Sequence, residues 1–113
     1  MYINNKHNAI GAHRIKITPH AQLRAIERMG DRAGDLKTLC TAARNKGFNL
    51  DAVTINNYKA VGMSYNELVS LKRHFRTRNN SERIYLHKGF VYIFAGKDAC
   101  TLKTVVKLRN VNI

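Results

Sequence analysis

The spacing of apolar residues predicts helices in the first two thirds of this chain and strands in the last third. A first helix is predicted to begin at Thr18 and Pro19, an N-cap followed by proline at the first helical position, and to end near Gly30. Its predicted core-facing residues are Leu23, Ile26 and Met29. A second helix is predicted over residues 35–46, with Gly47 as its C-terminal stop.

A third helix is predicted by the sequence Ser64-Tyr65-Asn66-Glu67, in which serine and glutamate can cap each other's backbone N–H groups. Its predicted core-facing residues are Leu68, Leu71 and Phe75. Residues 48–62 show no decisive periodicity, and Asp51 could cap a short helix there that ends at Gly62.

The last third of the chain changes to the alternating pattern of strands. Strands are predicted over residues 14–17, 83–87, 90–95 and 101–108, with Lys88-Gly89 as a tight turn. Strict alternation places Leu102 and Thr104 on one face of the last strand. The fold class is therefore α+β, with N-terminal helices packed on a C-terminal antiparallel sheet of about four strands. One sheet face should pack on the helices, and the opposite face could hold RNA.

The length of 113 residues predicts one domain, over residues 13–113, preceded by a polar and flexible arm over residues 1–12. This start contains no apolar stretch typical of a signal peptide, and no apolar run approaches the length of a membrane span. We therefore expect a cytoplasmic protein without membrane contact.

The charge is the most unusual feature of the composition. Twenty Lys and Arg stand against seven Asp and Glu, which gives a formal net charge of +13. Such an excess repels itself in a compact chain and indicates a polyanionic partner, although a basic surface that serves solubility is the alternative. The predicted RNA-binding residues come from the basic segment 72–88 and are Lys72, Arg73, Arg76, Arg78, Arg83, His87 and Lys88.

Three basic residues of the first helix form the candidate chemical site. His20, Arg24 and Arg28 recur every fourth residue and therefore lie on one stripe of the helix. Stacked cations repel each other unless an anion lies before them, and His20 belongs to the first turn, where free N–H groups favour a phosphate. The alternative is a solvated basic face with an incidental histidine.

The sheet offers two further candidates, Tyr92 and Thr104. A tyrosine at such a position is more often a core aromatic, and a threonine is more often a simple strand former. RNA cleavage without metal needs a base for the 2′-OH proton, an acid for the 5′-oxygen, and cations for the charged phosphorane. We expect neither metal nor cofactor, because the seven acids form no paired cluster for Mg²⁺ and Cys40 and Cys100 form no metal-binding pair. Both cysteines are expected to be reduced, and a single bridge between them is the alternative.

Two segments resemble a known group of proteins. The sequence Thr18-Pro19-His20-Ala21-Gln22-Leu23-Arg24-Ala25-Ile26-Glu27-Arg28 resembles the opening helix of the small bacterial toxin-like ribonuclease domains of the barnase–EndoU–colicin–RelE group. Residues 89–94 and 102–106 resemble the closing strands of that group, including its late Thr-Val pair. The resemblance covers roughly residues 14–30 and 83–108.

The resemblance implies a metal-independent endoribonuclease toxin, often acting on tRNA, together with an acidic immunity or antitoxin protein as partner. His20 would be the general acid or base and Arg24 would hold the scissile phosphate, while Thr104 and Tyr92 would complete the site from the sheet. Arg28 follows the pattern, but it could equally tie the helix to the core. Residues 48–77 form a helical insert beyond the minimal domain, which could bind the partner or dock RNA. Such a toxin would act in the cytoplasm, even if it were delivered from another cell.

Two other functions fit the same composition. One is a non-catalytic nucleic-acid-binding regulator of phage or mobile-element origin, which would use the basic segment 72–88. The other is an inhibitor that engages an acidic protein by mimicking a basic ligand. Only the enzyme would depend on His20 for cleavage, only the regulator would depend on Arg73, Arg76 and Arg78 for affinity, and the inhibitor would need no RNA.

Overall fold

The computed structural model of the protein describes residues 10–11, 14–75, 82–96 and 99–108, and within these ranges it contains three α-helices and five strands. The helices are α1 (Pro19–Met29), α2 (Leu36–Lys46) and α3 (Tyr65–Phe75). The strands are β1 (Lys16–Ile17), β2 (Phe48–Asn49), β3 (Arg83–His87), β4 (Phe90–Ala95) and β5 (Thr101–Lys107). Three short 3₁₀ segments lie between them, at Gly30–Asp35, Leu50–Ala52 and Tyr58–Val61.

The five strands form one sheet in the order β1-β5-β4-β3-β2, which confirms the α+β class. The sheet is larger than the predicted four strands and is mixed, because β1 runs parallel to β5 while the other neighbours are antiparallel. Strand β2 was missed. It has two residues, and its pairing with β3 depends on a contact across the chain that local periodicity does not reveal.

Both faces of the sheet are covered. On one face α1, the segment Gly30–Asp35 and α2 pack on side chains that include Tyr85, Tyr92 and Phe94. On the other face α3 and the preceding loops pack on side chains that include Ile84 and Val91. The prediction that the second face is open for RNA is therefore wrong, because residues of the 48–77 segment cover it.

Helix α1 presents its smallest residues to the sheet. Ala21 and Ala25 are fully buried and Met29 is nearly so, whereas Leu23 is 51% exposed and Ile26 is 56% exposed. The predicted core-facing residues were therefore wrong at two of three positions. Alanine side chains allow the helix to approach the sheet closely, and this approach turns the two larger residues toward solvent.

A β-bulge interrupts the alternation of β5. Ile93 pairs with Thr104 and Phe94 pairs with Leu102, which leaves Lys103 as the extra residue. Leu102 therefore packs in the core with α1, while Thr104 shares the opposite face with Ile93. The predicted common face of Leu102 and Thr104 is wrong for this reason.

Local capping and turn signals are present where the sequence predicts them. Thr18 Oγ1 accepts the N–H of Ala21 at 3.0 Å. Ser64 and Glu67 cap each other, with the Ser64 N–H donating to Glu67 Oε1 at 2.9 Å and the Glu67 N–H to Ser64 Oγ at 3.1 Å. Lys88 has a φ of 49°, which the two-residue hairpin turn between β3 and β4 requires.

The short helix that Asp51 could cap is not formed, and the predicted N-terminal arm is described only in part. Asp51 caps no helix, because it lies inside the segment Leu50–Ala52, where Asn49 Oδ1 accepts its N–H at 2.9 Å. Of the predicted arm, only Ile10 and Gly11 are described. Ile10 packs in the core, and the Asn45 amide bonds both its N–H and its carbonyl, at 3.0 and 2.7 Å.

Gly47 follows α2 because of a close approach between backbones. Its φ of −74° is ordinary, so no left-handed conformation demands glycine. A Cβ atom at this position would lie 2.5 Å from the carbonyl oxygen of Ala43 and 2.8 Å from that of Leu86. The absence of a side chain at Gly47 therefore lets α2 end directly against β3.

Gly47→Ala should lower the free energy of unfolding by about 1–3 kcal/mol, because two backbone segments must move apart to admit the methyl group. Gly34→Ala is the matched control, since a Cβ atom there meets nothing within 4 Å. Its stability should stay unchanged or rise by up to about 1 kcal/mol. Urea unfolding of both variants measures the difference, and equal stabilities would contradict the close approach.

Candidate functional site

The basic stripe of α1 lies beside its buried stripe. His20, Arg24 and Arg28 each precede one of the buried residues Ala21, Ala25 and Met29, so the two stripes are about 100° apart on the helix. His20 is exposed, whereas Arg24 and Arg28 are half-buried. Along the stripe, the side chains therefore become less exposed, from His20 in solvent to Arg28, which reaches the sheet.

Arg28 contacts the backbone of β5. Its Nη1 donates to the carbonyl oxygen of Val105 at 2.7 Å. At the start of the helix, Thr18 Oγ1 donates to the carbonyl oxygen of Lys103 at 3.3 Å. Strand β1 pairs with β5 only at Thr101 and Leu102. The carbonyl groups of Lys103 and Val105 lie beyond this pairing, and the side chains of Thr18 and Arg28 bond them instead. Arg28 is therefore a positioning residue for α1.

Arg24 forms a salt bridge on the surface of the same helix. Its Nη1 lies 2.6 Å from Glu27 Oε1, and the two side chains are 34% and 47% exposed. Such exposed pairs contribute little to stability, so an anionic ligand can compete for the guanidinium at small cost. His20 and Arg24 are thus the two members of the stripe that face solvent one turn apart.

Tyr92 lies in the core. It is 2% exposed, and burial raises the pKa of its hydroxyl to about 12, with nearby Cys40 adding to the rise and Arg32 opposing it. Within the described part of the chain, the hydroxyl makes no hydrogen bond. The position favours the core role of this tyrosine over contact with an external phosphate.

Thr104 is separated from the α1 stripe by the sheet itself. The bulge at Lys103 turns it to the face that carries Ile93, while α1 packs on the other face. Of the five predicted catalytic residues, the structure thus brings only His20 and Arg24 together on an exposed surface.

The predicted RNA-binding residues lie in two separate places. On α3, the Lys72 ammonium donates to the carbonyl oxygen of Leu50 at 2.8 Å, and Arg73 is exposed on the last turn. Arg83 is exposed on β3, and His87 and Lys88 lie at its end. Arg76 and Arg78 lie outside the described residues. Lys72 therefore has a structural contact, and the described members of the set divide between α3 and the β3 strand with its turn.

A basic cluster surrounds the turn between β3 and β4. Register pairing aligns His87, Phe90 and Lys107 across three strands on the same face of the sheet. The guanidinium carbon of Arg32 lies 5.5 Å from the centre of the Phe90 ring. We call the basic members of this surface the hairpin cluster: Arg32, Lys46, His87, Lys88 and Lys107.

The pKa of His87 reflects this environment. Burial lowers the pKa of its imidazole below the ordinary value of 6.5, and the charges of Lys88 and Lys46 lower it further. No carboxylate contributes to this shift. An anion bound between these side chains would favour the protonated imidazole.

Sequence reasoning missed three members of the hairpin cluster, namely Arg32, Lys46 and Lys107. Their positions depend on the end of α2 and on sheet register, and no local pattern signals either. Arg44 was also missed. It is 3% exposed on α2, and its Nη1 donates to Asn45 Oδ1 at 3.5 Å. The same Asn45 side chain makes the two hydrogen bonds to the backbone of Ile10.

The described residues contain no group of three or more His, Cys, Asp or Glu side chains that could hold a metal ion. Cys40 and Cys100 are both free thiols, and burial raises the pKa of the Cys40 thiol to about 11. None of the described helices is both long and apolar enough to span a bilayer.

Comparison with models of protein families, with curated proteins and with solved structures finds no match to this chain.

Arg28→Ala should lower the free energy of unfolding by about 1.5–3 kcal/mol, because it removes a hydrogen bond from a charged donor to the Val105 carbonyl. Arg24→Ala removes only an exposed ion pair and should change stability by no more than about 0.5 kcal/mol. Thermal and urea unfolding compare the two. Equal losses would contradict the distinction between a positioning and a solvent-facing arginine.

The low pKa of His87 predicts a loss of stability in mild acid. The unfolded chain takes up the proton near pH 6.5, before the folded protein does, so the free energy of unfolding falls as the pH drops through 6.5 toward the folded pKa. Urea unfolding between pH 8 and pH 5 should show this fall in the wild type and a smaller one in His87→Gln. His74→Gln serves as the control, because His74 is an exposed histidine of α3. If the difference in the free energy of unfolding between the wild type and His87→Gln stayed constant with pH, the lowered pKa of His87 would be contradicted.

Proposed function

We propose that this protein is a metal-independent endoribonuclease, with His20 as its proton-transfer group and Arg24 as its phosphate-binding group. The observation that carries the proposal is their placement one turn apart on the exposed side of α1. Hydrogen bonds from Thr18 and Arg28 to β5 hold this helix near both ends, which provides the rigid support that a catalytic pair needs.

The proposed reaction is transesterification at the RNA backbone. The 2′-oxygen gives its proton to a base and forms a bond to phosphorus, and the bond from phosphorus to the 5′-oxygen breaks as that oxygen gains a proton. A histidine suits either proton transfer near neutral pH, and a guanidinium can bind two oxygens of the phosphorane. We assign the acid or base role to His20 and the phosphate to Arg24.

The proposal is narrower than the predicted site of five residues. Arg28 supports the helix, Tyr92 is buried and Thr104 lies on the other face of the sheet. The protein would act in the cytoplasm, even if delivered from another cell, with tRNA as its substrate class. An acidic immunity or antitoxin protein is the proposed partner, because it would match the net charge of +13.

A second candidate function is RNA binding without catalysis, as in a regulator of phage or mobile-element origin. The hairpin cluster favours it. Both charged neighbours that shift the pKa of His87 are lysines, and Lys107 and Arg32 continue the positive surface across the sheet. Such a surface neutralises phosphates without reading sequence.

His20→Ala should reduce cleavage of total tRNA by about 10²–10⁴-fold in EDTA at neutral pH, since removal of a general acid or base has effects of this size. Gel analysis of the fragments measures it, with His74→Ala as a matched control because His74 is exposed on α3. RNA affinity, measured with uncleavable 2′-O-methyl RNA, should be retained by His20→Ala.

An intact tRNA pattern with micromolar wild-type protein would reject the enzyme. Binding by the same protein, weakened by Lys46→Gln and Lys88→Gln, would then support the non-catalytic function.

A further inference from the structure

A groove of about 540 Å³ opens between the loop after β2 and the start of α3. Its walls include the side chains of Ile55, Asn56, Tyr58, Lys59 and Tyr65. The volume falls within the range of small-molecule sites in proteins. The groove lies in the 48–77 segment and shares no lining residue with the α1 stripe or the hairpin cluster, and neither proposed function above uses it.

The walls of the groove are held in place by local hydrogen bonds. Asn57 is buried, and its side chain accepts the Thr54 N–H at 2.7 Å and donates to the Ala52 carbonyl at 3.0 Å. On the opposite wall, the mutual caps of Ser64 and Glu67 fix the first turn of α3. The groove is therefore formed before any ligand enters.

Large apolar side chains are exposed at this groove. Four such residues are exposed in the described structure, and two of them, Ile55 at 63% and Tyr65 at 51%, line this groove. The rings of Tyr58 and Tyr65 make an edge-to-face contact, with their centres 6.1 Å apart and their planes at 66° to each other. This contact orients Tyr65 while half of its surface stays available for stacking.

The polar residues at the groove indicate the ligand. Lys59 is exposed at the wall, Asn56 supplies an exposed amide, and the described lining includes no acidic residue. A flat ligand with apolar faces, polar edges and an attached negative charge matches this set. An unpaired nucleotide of RNA has these properties, since its base stacks on aromatic rings and its phosphate meets a cation.

We propose that this groove binds an unpaired base of single-stranded RNA, with Tyr65 as the stacking surface, Ile55 as the apolar wall and Lys59 as the phosphate contact. The inference rests on the proposed action on RNA and adds a preference for unpaired over duplex segments. A base held here would fix the substrate at a point separate from the cleaving pair on α1, because the groove shares no residue with that pair.

The test uses a fluorescent 2′-O-methyl RNA dodecamer, which cannot be cleaved, and a blunt duplex of two complementary 2′-O-methyl RNA strands of the same length, which has no unpaired base. Tyr65→Ala should weaken binding of the single strand about tenfold and leave duplex binding within about twofold, because one stacked base is lost. Tyr65→Phe should bind like the wild type. Lys59→Gln should reduce the dependence of log Kd on log salt by about 0.7, the value for one phosphate of a single strand.

Ile26→Ala is the control, because it removes an equally exposed apolar side chain from α1. Photocrosslinking of a 4-thiouridine oligonucleotide should modify a peptide containing residues 55–65. Unchanged single-strand affinity of Tyr65→Ala would overturn the groove alone, as would crosslinks confined to other peptides. A wild-type protein that binds neither RNA would overturn the groove and the proposed function together.

Discussion

The close docking of α1 along β5 is the contact on which the rest of the structure depends. Ala21 and Ala25 bring the helix near the sheet, and Thr18 and Arg28 bond carbonyl groups of β5 that the two-residue β1 leaves uncovered. The helix thus replaces part of an edge strand and protects the sheet from pairing with other chains. The same docking fixes its rotation, and this rotation leaves His20 exposed and Arg24 partly exposed.

Features set by neighbouring residues were predictable from the sequence. The Thr18 cap, the mutual caps of Ser64 and Glu67, and the turn at Lys88 each depend on side chains within a few positions of one another. Other features depend on contacts between distant residues. The alanine face of α1 became its core side only because β5 lies against it, and the pairing of β2 with β3 has no local signal.

The same distinction applies to the candidate site. Helix periodicity alone correctly places His20 and Arg24 on one stripe. Thr104 could not be placed from the alternation of its strand, because one bulge residue, Lys103, reverses which face it occupies. The hairpin cluster joins residues from α2, a 3₁₀ segment, two strands and the turn between β3 and β4, and the docking of α2 together with the register of the sheet brings them together.

Within the described part of the chain, the contacts that the few carboxylates make determine which basic side chains are left without a neutralising partner. Glu27 pairs with Arg24, Glu82 pairs with Lys103, and Glu67 caps α3, so these three acids serve local contacts. Burial and two lysines, by contrast, lower the pKa of the His87 imidazole, and the described lining of the groove at Lys59 includes no acidic residue. Repulsion among such charges weakens the compact state, and a bound polyanion relieves it. Because a ligand that binds only the folded chain also stabilises it, RNA affinity and folding stability should be coupled in this protein.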